Sequence, residues 1–285
     1  MNIADQLLYI TARIEAERPI GRSFGTGFFF SFVDDSGPGV TCLVTNKHVI
    51  DNSPSGMVHF NTKRPDGTPD VGKHIAVRLN WGSNWLRHPN PDVDLAVLPV
   101  GDVMEEFQKK GISIFIVSLN RDGIPDEKLL KSLTPVEDIM MVGYPIGLWD
   151  ATNNSPIVRR GITATPVYRD FEGLPQFMID CACFPGSSGS PVLLVNLGGF
   201  VDKDGNYQIG QSRIRLLGVL WGGAQHDANG VLQPQPVPTQ TREGFMVSIP
   251  SNLGYVVKAG ELKWFDEEIR RQLSLQAGGQ GSSVP

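Results

Sequence analysis

From Gly25 onward the chain is written in short apolar runs of period two, punctuated by glycine and proline, and this pattern restricts it to antiparallel β structure. Phe28–Phe32, Val40–Val44, Met57–Phe60, Ile75–Leu79 and Leu95–Val100 read as strands of a first barrel, with Gly-Pro-Gly and Pro-Asp-Gly turns between them. Ile139–Val142, Ile157–Thr165, Phe177–Cys183, Pro191–Val195, Arg213–Leu220 and Gly244–Ile249 read as a second. Between the two sets, Asp102–Lys110 and Asp126–Leu133 read as helices and Ile112–Ser118 as a strand. The expected fold is all-β, two antiparallel six-stranded barrels with added N- and C-terminal helices.

The ends differ from the middle. Ile3, Leu7, Ile10 and Ile14 recur at helical spacing, which predicts an amphipathic helix from about Asp5 to Glu17, capped by Asp5 and packed on the outside of a barrel. Asn252–Gly260, capped by Ser251, and Lys263–Gln276 also read as helices, and Ala277–Pro285 is Gly/Ser-rich and expected to be disordered. The resulting division is 1–19 N-terminal helix, 20–118 first barrel, 119–134 connection, 135–257 second barrel, 258–276 C-terminal helix and 277–285 tail.

Composition excludes several classes. With a net charge of −5 and no dense basic run, nucleic acid is not an expected partner. No run approaches the roughly 18 apolar residues that span a bilayer, and Met1–Ile20 is interrupted by Asp5, Arg13, Glu15, Glu17 and Arg18, so neither a secretory signal nor a membrane partner is expected. Cys42, Cys181 and Cys183 are an odd number without zinc spacing. Free thiols, with no signal expected, make a reducing cytoplasm the expected compartment.

One stretch carries chemistry. Phe184–Val192 reads Phe-Pro-Gly-Ser-Ser-Gly-Ser-Pro-Val, which places Ser188 in a glycine-flanked turn after an apolar run. A serine hydroxyl becomes a useful nucleophile when a base takes its proton, a carboxylate orients the base and backbone N–H groups meet the developing oxyanion. His48, in Thr-Asn-Lys-His-Val-Ile, and Asp94, in Asp-Val-Asp-Leu-Ala-Val-Leu, each lie at the end of an expected strand. The order His48, Asp94, Ser188 is one of the known orders of a His/Asp/Ser triad.

These stretches resemble the trypsin-like serine peptidases, in motif style nearest to the bacterial HtrA/Deg and glutamyl-endopeptidase branches, over roughly Ser23–Val257. Gly25-Thr26-Gly27-Phe28, Val142-Gly143-Tyr144-Pro145-Ile146-Gly147 and Ser248-Ile249-Pro250-Ser251-Asn252 add to the likeness. The resemblance implies barrels of the chymotrypsin type with the site in the cleft between them, and a serine endopeptidase acting on polypeptides without cofactor or metal. It implies an oxyanion hole on the turn Gly186, Ser187 and Ser188, with the N–H groups of Gly186 and Ser188 as donors. The branches named have Asn where this chain has Ser187. Trypsin-type zymogens carry Asp there, paired with a new N-terminus on activation; Ser187 cannot make that bridge, so no N-terminal activation is expected.

By the same resemblance Ala182 and Cys183, with Leu220, Trp221, Gly222 and Gly223 on the facing strand, bind substrate. No carboxylate stands at the pocket floor, and Leu220 replaces the histidine of glutamyl endopeptidases, which leaves a small or medium apolar P1 residue. With roughly 25 residues after Gly260, the PDZ module that HtrA/Deg proteins usually carry is not expected here. A second reading keeps the fold but makes it a latent binding module, controlled by a regulatory protein docked on the terminal helices. Asp202-Lys203-Asp204-Gly205-Asn206 starts like a calcium loop but has Tyr207 at the sixth position and Arg213 at the twelfth, so a hairpin turn is expected. His59, His74, His88 and His226 lack ligand spacing, and Gln233–Pro238 reads as a stiff surface loop.

Overall fold

In the computed structural model residues 1–19, 21–32, 39–82, 84–229 and 246–279 are described, without the side chains of 3, 225–229, 246–250 and 276–279. The strands of the N-terminal half are β1 (Thr11–Glu17), β2 (Arg22–Phe32), β3 (Val40–Thr45), β4 (Ser55–Lys63), β5 (Pro69–Asn80), β6 (Leu86–Arg87), β7 (Ala96–Pro99), β8 (Ile114–Phe115) and β9 (Leu119–Asn120). They form one nine-stranded sheet along the path β5-β4-β1-β2-β3-β7-β6, with β8 on β4 and β9 on β2. In the C-terminal half β10 (Asp138–Gly143), β11 (Ile157–Thr163), β12 (Gln176–Asp180), β13 (Pro191–Asn196), β16 (Arg213–Asn229) and β17 (Met246–Lys258) close a barrel, and β14 (Gly199–Val201) pairs β15 (Tyr207–Ile209) as a separate hairpin. Closure removes the edges that an open sheet would expose.

The all-β class and the two-part architecture hold. The first unit has nine strands where six were expected, partly because the N-terminal segment is a strand and not a helix. Only Ile3–Gln6 is α-helical (α1), with Asn2 as its cap and Asp5 reciprocating, so Asp5 is not itself the cap. From Thr11 the chain pairs with β2 on one side and β4 on the other, and Thr11–Ala16 is buried throughout. Helical spacing of four isoleucines and leucines lost to a period-two pattern, Ala12, Ile14 and Ala16, that gives a strand one apolar face, while Thr11, Arg13 and Glu15 are buried on the other.

Asn252–Gly260 is corrected as well. β17 continues through it to Lys258, because Tyr255, Val256 and Val257 pair with both β12 and β16 in the barrel. The Ser251 hydroxyl caps no helix and donates to the Ala224 carbonyl at 2.8 Å. The last helix runs Leu262–Gly279, three residues into the segment expected as a tail, and buries Leu262, Phe265 and Ile269 against Phe30 and Phe32 of β2. Helices Gly101–Lys109 and Glu127–Ser132 form where helices were expected, at Asp102–Lys110 and Asp126–Leu133. The Asp202 turn is a hairpin, its carboxylate accepting the N–H groups of Asp204 and Asn206. Gln233–Pro238, the Gly37-Pro38 turn, the side chain of His226 and residues 280–285 lie outside the described residues.

Burying Thr11–Ala16 places Arg13 and Glu15 inside the protein, at 8% exposure each. They are bonded to each other, Glu15 Oε1 lies 2.9 Å from His59 Nε2, and Arg13 stacks over the rings of Phe24 and Trp149. Burial holds the His59 pKa below its ordinary 6.5, so the ring is neutral in the fold. Burial pulls Glu15 upward, but the hydrogen bond from His59 and the Arg13 charge outweigh it and keep the carboxyl below 4.5. His88 is also depressed by burial. Each group binds fewer protons folded than unfolded, so each contributes stability that is lost as pH falls below its unfolded value, the histidines first and Glu15 in stronger acid. Urea midpoints should therefore drop between about pH 7.5 and about pH 5.5, less steeply in His59→Gln. A midpoint that stays level across that range would contradict neutral buried histidines.

Candidate active site

His48 and Asp94 are 46 residues apart and meet because the strands that carry them pair. Thr45, the last residue of β3, faces Ala96, the first of β7. His48 follows on a four-residue helix, Lys47–Ile50, and Asp94 precedes β7 by two residues. The buried Asn46 amide donates to the Asp94 carbonyl at 2.7 Å and fixes that backbone. One Asp94 carboxylate oxygen then lies 2.5 Å from His48 Nδ1, and the other accepts the His48 backbone N–H at 3.2 Å. The imidazole is about half exposed, with its far nitrogen free of protein partners among the described residues.

Ser188 stands on the turn between β12 and β13. Gly186 and Gly189 both have φ of +87°, a conformation that side chains resist. A Cβ on Gly186 would lie 2.6 Å from the Tyr144 carbonyl oxygen, and one on Gly189 would lie 1.9 Å from that of Thr26. The turn is fastened to neighbouring segments at several points. The Ile146 N–H donates to the Pro185 carbonyl at 2.5 Å, the Thr26 hydroxyl to Gly186 at 2.9 Å and the Thr26 N–H to Ser188 at 2.9 Å. Ile146 itself holds φ of +55°, a costly state for a β-branched residue, fixed here by its neighbours.

Thr26 also links the turn to the histidine. Its carbonyl accepts the Thr45 hydroxyl at 2.7 Å, three residues before His48. The Ser188 hydroxyl is half-buried and donates to the Trp221 carbonyl at 3.4 Å; it makes no hydrogen bond to His48. Ser187, Gly189 and Ser190 donate their N–H groups to Phe184, Leu220 and Ser187. The N–H groups of Gly186 and Ser188 donate to no acceptor among the described residues. Two unused donors on one turn, beside a serine hydroxyl, can receive an oxyanion.

Ser187, where the resemblance has Asn, is fully buried. Its hydroxyl oxygen accepts the Phe184 N–H at 3.3 Å and an Arg159 N–H at 3.0 Å. Of the expected substrate-binding residues, Cys183 is buried with its thiol pushed up to about 12, hence neutral, while Ala182 is half-buried. Leu220 packs in the second-barrel core with Cys183 and Val256, and its carbonyl accepts the Gly189 N–H at 2.8 Å. Trp221 falls in a β-bulge, since Leu220 faces Val256 and Gly222 already faces Tyr255. A bulge re-aims a side chain, and the Trp221 ring donates to Gln176 and packs on Tyr255. Gly223 is exposed on the same strand. Cys181 and Cys183 lie just beyond the end of β12, so the strand expected to reach Cys183 stops at Asp180; all three cysteines are unpaired and buried.

Thr26, Thr45, Asn46 and Arg159 make hydrogen bonds among these segments, and nothing in the sequence singles them out. Thr26, Thr45 and Asn46 lie inside the motifs quoted above, but nothing in a motif says which carbonyl a hydroxyl or amide will meet. No cluster of metal-ligating side chains occurs among the described residues, and no described helix is long and apolar enough to cross a membrane.

No curated protein matches the chain. Among solved structures it is similar to Rv3671c from M. tuberculosis in an inactive form, at 16% identity and a TM-score of 0.41, covering 99% of this chain and 92% of that one. It is similar to a serine endoprotease from Yersinia pestis at 15% identity and a TM-score of 0.47, over 95% and 68% of the two chains. A third is the HtrA-type protease AlgW with a tripeptide, at 16% identity and a TM-score of 0.43, where 90% of this chain spans 58% of the other. The model of the trypsin-like peptidase domain matches residues 25–201, more than half of the sequence, and the chain belongs to that family.

Proposed function

We propose that the chain is a serine endopeptidase that hydrolyses peptide bonds in polypeptides through His48, Asp94 and Ser188. The observation that carries this is the pair of unused N–H donors, Gly186 and Ser188, on a turn tied through Thr26 and Thr45 to the His48–Asp94 pair. In this reading the Ser188 hydroxyl leaves the Trp221 carbonyl by rotation about one bond and presents its proton to His48 Nε2. Such contacts are commonly long before substrate binds. Ser188 Oγ attacks the scissile carbonyl, His48 takes the proton and then delivers it to the leaving amine, and water repeats the sequence on the acyl-enzyme. Asp94 keeps the ring proton on Nδ1 and stabilises the imidazolium. Each oxyanion donor contributes about 3 to 4 kcal/mol to that step.

Substrate would lie along Trp221–Gly223 as an added strand, with its P1 side chain toward Ala182 and Cys183. A neutral thiol and a methyl group suit a small or medium apolar residue. Buried unpaired thiols are compatible with work in a reducing compartment such as the cytoplasm. A second reading, a latent scaffold that binds a partner, is favoured by one observation, the Ser188 hydroxyl resting on Trp221 and not on His48.

The two separate with a fluorophosphonate probe. The wild-type protein should be labelled on Ser188 alone, located by mass spectrometry, and Ser188→Ala should remain unlabelled. Folded wild-type protein that takes no label would sink the peptidase reading and leave the scaffold.

A further inference from the structure

The chemistry proposed for Ser188 gives no task to Arg159, yet Arg159 is the charged side chain bonded to its turn. It sits on β11 with its guanidinium directed at two acceptors, the Ala182 carbonyl through Nη1 and the Ser187 hydroxyl oxygen through Nη2 at 3.0 Å. Its Nε is buried without a partner, and among the described residues no carboxylate pairs with it. Burial pushes its pKa below the ordinary arginine value, and the adjoining Cys181 and Cys183 thiols, both pushed upward, leave it without a neutralising charge. A half-buried cation without a counter-ion is a cost that an apolar side chain of similar volume would avoid. What an apolar side chain could not do is bridge two acceptors with a rigid, planar pair of donors.

The two acceptors define what is bridged. Ala182 belongs to the expected wall of the primary pocket, and Ser187 is the residue between the two N–H groups left free. Ser187 is otherwise fixed by its own N–H on Phe184, by Ser190 on its carbonyl and by Phe184 on its hydroxyl oxygen. Arg159 is the one charged member of this set. Where the resemblance would place an amide or a carboxylate, the shorter Ser187 side chain accepts a guanidinium.

We propose that Arg159 is a positioning residue of the oxyanion turn, holding Ser187 so that the Gly186 and Ser188 N–H groups stay aimed, and placing a permanent positive charge beside them. This rests on the peptidase reading of Ser188. It replaces activation by a new N-terminus with a cation built into β11, so the turn is set as soon as the chain folds. The contribution is made to the charged transition state and not to ground-state binding.

The test measures the second-order rate of fluorophosphonate labelling across pH for the full chain, for Arg159→Met, Arg159→Lys and Ser187→Ala, with thermal midpoints for each. Arg159→Met should label about 10- to 100-fold more slowly at the plateau, with the midpoint of the pH profile unmoved because the His48–Asp94 pair is untouched. Arg159→Lys, which keeps the charge but not the fork, should recover part of the loss. Ser187→Ala, which removes only the acceptor, should fall in the same direction and keeps the test open if Arg159→Met does not fold. A plateau within about twofold of wild type in both Arg159→Met and Ser187→Ala overturns the proposal, as does a loss that vanishes once rates are normalised to folded protein. Wild-type protein that is not labelled at all overturns the peptidase reading itself, and this proposal with it.

Discussion

Asp94→Asn should slow acylation of Ser188 by about 10⁴-fold while shifting the thermal midpoint by no more than a few degrees. The geometry makes the direction specific. One Asp94 oxygen accepts the His48 backbone N–H and the other lies on Nδ1. An asparagine keeps the first contact with its carbonyl oxygen, which satisfies the backbone and preserves the fold. Its amide nitrogen then faces Nδ1 and, being a donor, forces the ring to carry its proton on Nε2. The nitrogen that should take the Ser188 proton is then already protonated. Steady-state turnover of a peptide amide, measured with circular dichroism as the control for folding, decides it. A loss under about tenfold would remove Asp94 from the role proposed for it.

Gly189→Ala should be the most damaging change of a single methyl group at the site, with a loss of about 3 to 5 kcal/mol of stability and of all measurable fluorophosphonate labelling. Two costs coincide there. The backbone holds φ at +87°, and the added Cβ would lie 1.9 Å from the Thr26 carbonyl oxygen and 2.6 Å from the Thr45 hydroxyl. Neither obstacle can withdraw, because the Thr26 N–H is bound to Ser188 and the Thr45 hydroxyl to Thr26. The turn must therefore leave Thr26, and the link between Ser188 and the His48 segment goes with it. Urea denaturation reads the first effect and labelling the second. A Gly189→Ala protein as stable and reactive as wild type would mean that the turn is not held by Thr26.

Most strands are legible because their pattern is local. A run such as Val40–Val44 alternates apolar and polar positions whatever it pairs with, and Ser188, His48 and Asp94 stand out because they sit in short motifs at strand ends. Thr11–Ala16 escapes a sequence reading because Arg13 and Glu15 have the character of an exposed face. Only their mutual contact, together with His59 and Trp149, makes burial of both tolerable. Tyr255–Val257 escapes it because three apolar residues in a row fit a helix or a strand equally, and the choice lies with β12 and β16.

The sequence by itself determined the β class and the short motifs that carry His48, Asp94 and Ser188, since periodicity and motif spacing are properties of the chain. Only the tertiary structure decided that Asn46 would hold the backbone of Asp94, that Thr26 would join two distant segments, and that Arg159 would reach Ser187. The physical reason is that each of these is a hydrogen bond between groups 19 to 162 residues apart. Such bonds depend on where folding places a particular carbonyl or hydroxyl, and no local pattern encodes that position.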